Sequence, residues 1–435
     1  MSKLKYGLGA VIIAGGLVGT IPYITKNTID TLMVEKQKEL INYGIDFQVV
    51  SNTGYLDSTR EVTLKFKNTA KVLEYLAISL QTDLELLKSM TNDGDLLADI
   101  SFKGVIKNSN LMTHRINAVL QLDELPKNLK EKMTQDEPLD KFIKSLGLNM
   151  SFDIDGNVTD LALNDIIIED QGVLLKLIKP KMQIFDNQYK SSIQNITFNT
   201  ESYSNKLAIQ IDDIQDHIKK TDVLNATENT TIKSIKFDME NHRSYRPMDL
   251  SYESANHIIN ANIASDDKLV NMTSKYDIDD IKIKVKQTNT TMKHLTLGVN
   301  FKNLDRKPIQ DLVDSASNQQ QMARMLEPKL FEILNSGFQI NLKTNVTDFE
   351  NVNFSSKMID VNVDLDVKKN TLYKRSRPND AMGVFTVNGT VKLDAQAVSK
   401  IAPIQKFNTN ISNGISQFDI KFENGSFTIN GQAAR

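Results

Sequence analysis

The residues best suited to chemistry in this chain are its five histidines, and their spacing predicts no shared site. They are His114, His217, His242, His257 and His294, and no two have the spacing of a metal-binding motif such as His-Glu-x-x-His. We therefore expect exposed or strand-edge histidines. The chain has no cysteine, which excludes disulfides, thiolate metal sites, a cysteine nucleophile and a lipoprotein anchor on cysteine.

Carboxylates are grouped at three places, and each group is interpreted as a turn. Asp153-Ile154-Asp155-Gly156 resembles the start of a calcium loop, but its glycine comes fourth instead of sixth and the twelfth position is Asn164. Asp155-Gly156 between alternating runs instead predicts a β-hairpin. The pairs Asp212-Asp213 and Asp279-Asp280 are interpreted as solvated strand ends in preference to acid/base machinery.

Motifs for nucleophiles and nucleotides are also missing from the sequence. Gly-x-Ser-x-Gly is absent, and Gly7-Leu8-Gly9 lacks the third glycine of a dinucleotide fingerprint. A formal net charge of −2, with both signs interspersed, leaves no basic footprint for nucleic acid. The sequence thus predicts no catalytic residue, cofactor or metal, and a protein that is not an enzyme. An enzyme built from dispersed Asp, Glu and His residues stays an alternative.

One apolar stretch at the start of the chain would fix the location of everything after it. Tyr6 to Thr25 carries no charged residue, and about 20 apolar residues suffice for a helix to cross a bilayer. Lys3 and Lys5 precede it, so the positive-inside rule predicts a cytoplasmic N-terminus and a periplasmic body at the bacterial inner membrane. The predicted anchor residues are Tyr6 and Tyr23 at the interfaces and the small residues Ala10, Ala14, Gly15 and Gly19. A cleaved secretory signal, with Ala14 and Gly16 before the cleavage site, is the alternative.

The remaining chain predicts a helical stalk at residues 26–45 and a β-rich body at residues 46–435. Runs such as Ile281/Ile283/Val285 and Leu295/Leu297/Val299/Phe301 alternate with polar residues, which is typical of antiparallel strands with one dry face. Lys282, Lys284 and Lys286 are interpreted as a solvated strand face whose lysines protect a sheet edge, with anionic lipid binding as the alternative. A helix is predicted from Pro308 to Asn335, kinked or split at Pro328, and a closing hairpin at Asn424-Gly425.

These elements define the predicted fold class. It is α+β and mainly β: a single N-terminal transmembrane helix, then a large curved antiparallel β-sheet body with a few covering amphipathic helices. Whether helices close the apolar face of the sheet or leave it open is undecided at this stage.

Several stretches resemble the YdgA-like family of bacterial envelope proteins, which contains domain of unknown function 945. They are the short basic start, the apolar segment, Gly54-Tyr55-Leu56-Asp57-Ser58 before a strand, the Gln-rich helix before Phe338, and the closing run from Asn424 to Gln432. The resemblance follows the order of elements over nearly the whole chain, and only the closing motif is fairly specific. It implies a membrane-tethered periplasmic β-rich body and no reaction.

The sequence therefore favours a non-enzymatic, inner-membrane-anchored periplasmic protein that binds a lipid or another apolar envelope ligand. The alternative is an interaction scaffold or homodimeric assembly factor that pairs with an envelope protein or a second copy through sheet edges and the Pro308–Asn335 helix. The ligand and the oligomeric state are not specified by the residues.

Overall fold

The computed structural model describes residues 37–53, 57–79, 100–109, 116–124, 147–152, 158–170, 172–185, 187–202, 205–222, 224–241, 248–315, 319–372, 383–400, 407 and 410–433. Every structural statement below concerns these residues. The chain divides into two compact units, Met1–Phe198 and Asn199–Arg435, and each is described by itself.

The described residues are mainly β, with one large antiparallel sheet and few helices. The strands in unit 1 are β1 (Ile45–Thr53), β2 (Asp57–Phe66), β3 (Ser101–Ser109), β4 (Ile116–Glu124), β5 (Gly147–Phe152), β6 (Val158–Leu163), β7 (Ile166–Asp170), β8 (Val173–Ile178) and β9 (Lys181–Phe185). β10 (Gln188–Ser202) crosses the division between the units. Short-range alternation of apolar and polar residues favours this pairing, because each strand can then bury one face and solvate the other.

The strands in unit 2 include several of the longest in the chain. They are β11 (Asn205–Asp222), β12 (Asn225–Asn241), β13 (Met248–Ser265), β14 (Leu269–Val285), β15 (Thr288–Asp305), β16 (Phe338–Asn351), β17 (Ser355–Val367), β18 (Phe385–Asp394), β19 (Asn410–Ser412), β20 (Ile415–Glu423), β21 (Ser426–Ile429) and β22 (Gln432–Ala433). From β11 to β18 each strand pairs antiparallel with the next, and β18 then pairs with β20. The predicted hairpin at Asn424-Gly425 is confirmed: both residues have positive φ, and the turn joins β20 to β21.

Four helices have full bounds within the described residues: α1 (Thr69–Ser79), α2 (Arg306–Ser315), α3 (Gln319–Ser336) and α4 (Ala395–Val398). Pro328 lies inside α3, which continues past it, so the prediction that this proline splits the helix is wrong. The predicted Pro308–Asn335 helix is two helices, and the division comes before Gln319. A proline removes one backbone donor, and α3 keeps the rest of its hydrogen-bond ladder.

Unit 1 has a dense core of its own. Strands β1 to β5 direct alternate side chains to one face, where Phe47, Leu64, Phe102 and Leu148 are almost fully buried. Helix α1 adds Val72, Leu73 and Tyr75 to the same cluster. Residues 37–42 are helical, and Leu40 is buried in this core. The end of the predicted stalk therefore packs with the body, while the domain boundaries at residues 25 and 45 stay predictions.

The predicted fold class is wrong in its membrane-spanning component. In the part of the chain that the structure describes, no helix is both long enough and apolar enough to cross a bilayer. The longest described helix, α3, carries Arg324, Glu327, Lys329 and Glu332. The prediction used the uncharged run from Tyr6 to Thr25, which lies outside the described residues, as do the six predicted anchor residues.

Two further expectations about charged strands are wrong. β14, which carries Lys282 and Lys284, pairs with β13 on one side and β15 on the other, so these lysines do not protect a sheet edge. Asp212-Asp213 and Asp279-Asp280 lie within β11 and β14 instead of at strand ends. Asp213 and Asp280 have positive φ there, and a short polar side chain tolerates that conformation inside a strand better than most residues.

Candidate functional site

One face of the long strands in unit 2 is apolar and the other is polar. In β15, Leu295, Leu297, Val299 and Phe301 alternate with His294, Thr296, Gly298, Asn300 and Lys302. The antiparallel register places Leu342 of β16 opposite Val299, and Val363 of β17 opposite Leu342. Val299, Leu342 and Val363 therefore form an apolar row across three neighbouring strands, and Tyr276 is opposite Leu297 in the row beside it.

We call the central part of this face the apolar floor. It comprises Tyr276, Leu297, Val299, Leu342, Val361 and Val363 from β14 to β17. Leu297 remains 39% exposed and Leu342 44% exposed, whereas large apolar side chains in a covered sheet are almost fully buried. The described residues thus leave the floor open.

Among the residues that the structure describes, helices cover the apolar face only beside the floor. At one end, Ile309 and Val313 of α2 and Ile333 of α3 belong to a cluster with Met272 and Phe301. At another corner, Val398 of α4 and Phe407 pack with Leu393 and Phe418. In α3, Leu326 and Leu330 are 41% and 53% exposed, although they precede Ile333 and Leu334 by one or two turns. The helix therefore carries apolar surface beyond the part that packs.

A row of left-handed residues crosses the sheet of unit 2. Asp213, Asn256, Asp280 and Asp348 have φ of 50, 49, 51 and 49° in β11, β13, β14 and β16. At each of them the apolar alternation changes phase by one residue: in β14 it runs through Val285, Ile283 and Ile281 and then through Ile278 and Tyr276. Ile278 and Ile281 are both buried.

The left-handed row lets residues of opposite phase share a face. Ser254 and His257 are three positions apart in β13, on either side of Asn256, yet Ser254 Oγ lies 2.7 Å from His257 Nε2. A left-handed residue interrupts the two-residue pleat, which makes this contact possible. The alternation of β13 therefore shifts by one residue at Asn256.

A polar triplet is buried at this position, beside the apolar floor. His257 Nδ1 lies 2.6 Å from the hydroxyl of Tyr276, and its Nε2 contacts Ser254. His257 is 1% exposed and Ser254 5% exposed. Burial lowers the pKa of His257, so the imidazole is neutral at pH 7, and burial also raises the pKa of Tyr276, with a smaller contribution from Tyr252.

The order hydroxyl, imidazole, hydroxyl resembles a nucleophile with its base and an orienting group. Ser254 and His257 are buried, however, so a substrate carbonyl cannot reach the serine oxygen in this arrangement. We therefore interpret the triplet as a site of hydrogen bonding and not of nucleophilic attack.

A second polar network lies around His294. His294 Nδ1 is 2.6 Å from Asp279, and its Nε2 is 2.9 Å from the hydroxyl of Thr296, which donates to Asp277 over 2.6 Å. Since that hydroxyl gives its one proton to Asp277, its oxygen is the acceptor toward His294 Nε2. The proton of the Thr296 hydroxyl is therefore already engaged by Asp277, and the arrangement does not have the geometry of a base that activates Thr296.

The carboxylates of this network are held in their ionised form. The hydrogen bond from His294 is the main cause that lowers the pKa of Asp279, and Asn256 adds to it. Burial acts to raise the pKa of Asp277, but hydrogen bonds from Lys275 and Thr296 outweigh it and the pKa is lowered. The network ties β13, β14 and β15 together electrostatically.

A cleft of about 520 Å³ lies near the ends of β16, β17 and β18. Lys357, Lys400 and Asp394 are among the residues that line it. Asp394 already accepts hydrogen bonds from Ser356 Oγ at 2.7 Å and from the backbone N–H groups of Lys357 and Ala397 at 2.7 and 2.9 Å. This carboxylate therefore fixes α4 to β17 and has little capacity left for a ligand.

The histidines and carboxylates singled out in the sequence fall into separate environments. His257 and His294 belong to the two networks above, His217 is an exposed residue of β11, and His114, His242 and the calcium-like run at 153–157 lie outside the described residues. Within the part of the chain that the structure describes, no three His, Asp or Glu residues are placed to hold a metal ion. Sequence reasoning missed Ser254 and Tyr276, because no motif joins them to His257.

Comparison with protein-family models, with curated proteins and with solved structures gives no match. The resemblance to the YdgA-like family consequently stays a prediction. The function has to be argued from the site itself.

Proposed function

We propose that the apolar floor of unit 2 binds the hydrocarbon part of an amphipathic ligand such as a lipid, and that the protein acts by binding and not by catalysis. The observation that carries this proposal is the exposure of Leu297 and Leu342, which are 39% and 44% exposed within the apolar floor. Neighbouring strands are about 4.8 Å apart, so a chain lying across β14 to β17 would contact about 14 Å of floor. Each Å² of apolar surface it covered would contribute roughly 25 cal/mol.

Binding of diphenylhexatriene, a hydrocarbon probe that fluoresces in apolar surroundings, tests this proposal on the full chain. We expect saturable binding that the double variant Leu297→Asn/Leu342→Asn weakens about tenfold or more, since it places two amides on the floor. Val352→Asn is the matched control, because Val352 is 70% exposed in the turn between β16 and β17, away from the floor. Equal binding by both variants would contradict the proposal.

The place of action that we propose is the periplasmic side of the bacterial envelope. One sequence feature supports it, the resemblance to the YdgA-like family. Protease added to spheroplasts should then degrade the body, while a cytoplasmic marker protein stays intact. Protection of the body until the cells are lysed would refute this location.

A second candidate function is protein interaction through α3. Leu326 and Leu330 are one turn apart and exposed, which is the spacing of an apolar stripe that can pack against another helix. A partner envelope protein or a second copy of this chain would then cover them. Crosslinking in cells through a photoreactive residue at position 330 should trap one dominant product, and the absence of any product would count against this function.

A further inference from the structure

The polar triplet beside the floor has one more hydrogen-bond donor than it uses. Neutral His257 has one N–H, and Ser254 and Tyr276 each have one O–H, which makes three donors. Only two hydrogen bonds join the three side chains. No further partner of either hydroxyl is present among the described residues, so one hydroxyl proton is left over.

Which hydroxyl keeps this proton follows from the accessibility of the two groups. If Ser254 donates to His257 Nε2, then His257 Nδ1 donates to Tyr276, and the proton of Tyr276 is free. Ser254 is 5% exposed, whereas Tyr276 is half-buried and belongs to the floor, with Leu297 opposite it in the register. A free donor inside the apolar sheet face costs free energy, and at Tyr276 a partner can reach it.

We propose that Tyr276 donates this hydrogen bond to an oxygen of the bound ligand, so that the ligand is an acyl compound with a carboxylate or ester carbonyl. The inference rests on the proposed function, because it adds a polar contact to the same floor. His257 acts as a positioning residue: it is held by Ser254 and fixes the phenol from the other side. The floor would accept a bare hydrocarbon as well, but without this hydrogen bond.

Two fluorescent probes separate the contribution of the apolar floor from that of the Tyr276 hydrogen bond. cis-Parinaric acid has a carboxylate at the end of a fluorescent hydrocarbon chain, and diphenylhexatriene has no oxygen. On the full chain, Tyr276→Phe should weaken binding of cis-parinaric acid about tenfold or more, the effect of one hydrogen bond to a charged group. Binding of diphenylhexatriene should change less than twofold, since the phenyl ring stays on the floor.

Tyr189→Phe is the matched control, because Tyr189 is an exposed residue of β10 and loses the same hydroxyl. It should bind both probes as the wild type does. A variant that has lost its fold would lose both probes, so the ratio of the two affinities reports the hydrogen bond specifically.

The outcomes distinguish this inference from the function on which it rests. If neither probe binds the wild type, the proposed function fails. If both bind but Tyr276→Phe leaves their ratio unchanged, or if Ser254→Ala alters the ratio in its place, the assignment to Tyr276 is overturned while the floor stands.

Discussion

The first strands of unit 1 and the long strands of unit 2 have the same alternating pattern but different surroundings. In unit 1 the apolar face of β1 to β5 is covered, and Phe47 is 1% exposed. In unit 2, Leu297 of β15 and Leu342 of β16 are 39% and 44% exposed. Alternation therefore predicts that one face is apolar, and it does not predict what lies on that face.

The difference comes from where the helices lie relative to the strands. Helix α1 follows β2 and contributes Val72, Leu73 and Tyr75 to the core formed by that sheet. Helices α2 and α3 follow β15 and pack at one end of much longer strands, near Met272 and Phe301. Short strands can be covered by one helix, while strands of 13 to 18 residues extend beyond it.

The largest expected effect is on the stability of unit 1, where the apolar face is covered. Phe47→Ala should lower the free energy of unfolding of unit 1 by about 3–5 kcal/mol, because it leaves a cavity in a packed core. Leu342→Ala should cost about 1 kcal/mol or less, since its side chain keeps much of its contact with water in the native state. Differential scanning calorimetry of the full chain measures both. Similar losses for the two variants would mean that the floor is covered.

Replacing a glycine by alanine should have a different effect on stability in the two units, and this difference is smaller. A Cβ added at Gly104 in β3 would meet the carbonyl oxygen of Val119 and a methyl of Leu120, so Gly104→Ala should cost about 1–3 kcal/mol. At Gly298 in β15 the nearest atom would be Lys343 Cβ at 3.6 Å, an ordinary contact. Gly298→Ala should therefore be neutral, or stabilise by up to about 1 kcal/mol through reduced chain entropy in the unfolded state. A loss at Gly298 as large as that at Gly104 would contradict the open space beside Gly298 on the polar face of β15.

The strands were largely predictable, because period-two alternation follows directly from the geometry of a pleated chain. The phase slips at Asp213, Asn256, Asp280 and Asp348 were also visible in principle: apolar residues change from odd to even numbers between Ile211 and Ile214. The pairs that contain Asp213 and Asp280 are instead predicted to be strand ends, since a short polar residue between apolar runs usually indicates a turn. Only the pairing of neighbouring strands shows that these residues lie within continuous strands.

Local sequence patterns could not predict the polar triplet, nor how much of the apolar face the helices cover. Ser254 and His257 come together because Asn256 has positive φ, and Tyr276 reaches them from the next strand. Both relations depend on register, which no local motif specifies. The Pro308–Asn335 helix was predicted from its periodicity, but the length of strand that it would leave uncovered depends on where it packs.

The smallest expected effect concerns the caps of two covering helices. In unit 1, Asn68 accepts a hydrogen bond from the N–H of Lys71 in α1, and this neutral cap cannot titrate. In unit 2, Asp394 caps α4, and although burial acts to raise its pKa, hydrogen bonds from Ser356, Ala397 and Lys357 outweigh it, so the pKa is lowered below 3.8. A lowered pKa contributes stability that is present above 3.8 and is lost as the pH falls through the folded-state value.

Asp394→Asn keeps a capping side chain but removes the charge, so it should cost about 1 kcal/mol at pH 7. The difference in melting temperature from the wild type should stay constant down to about pH 5 and shrink below it, because the wild-type carboxyl then binds a proton. Asn68→Ser is the matched control in unit 1, and its effect should not depend on pH. The same difference in melting temperature at pH 3 and at pH 7 would contradict this prediction. The charge of Asp394 would then have no part in holding α4 on the apolar face.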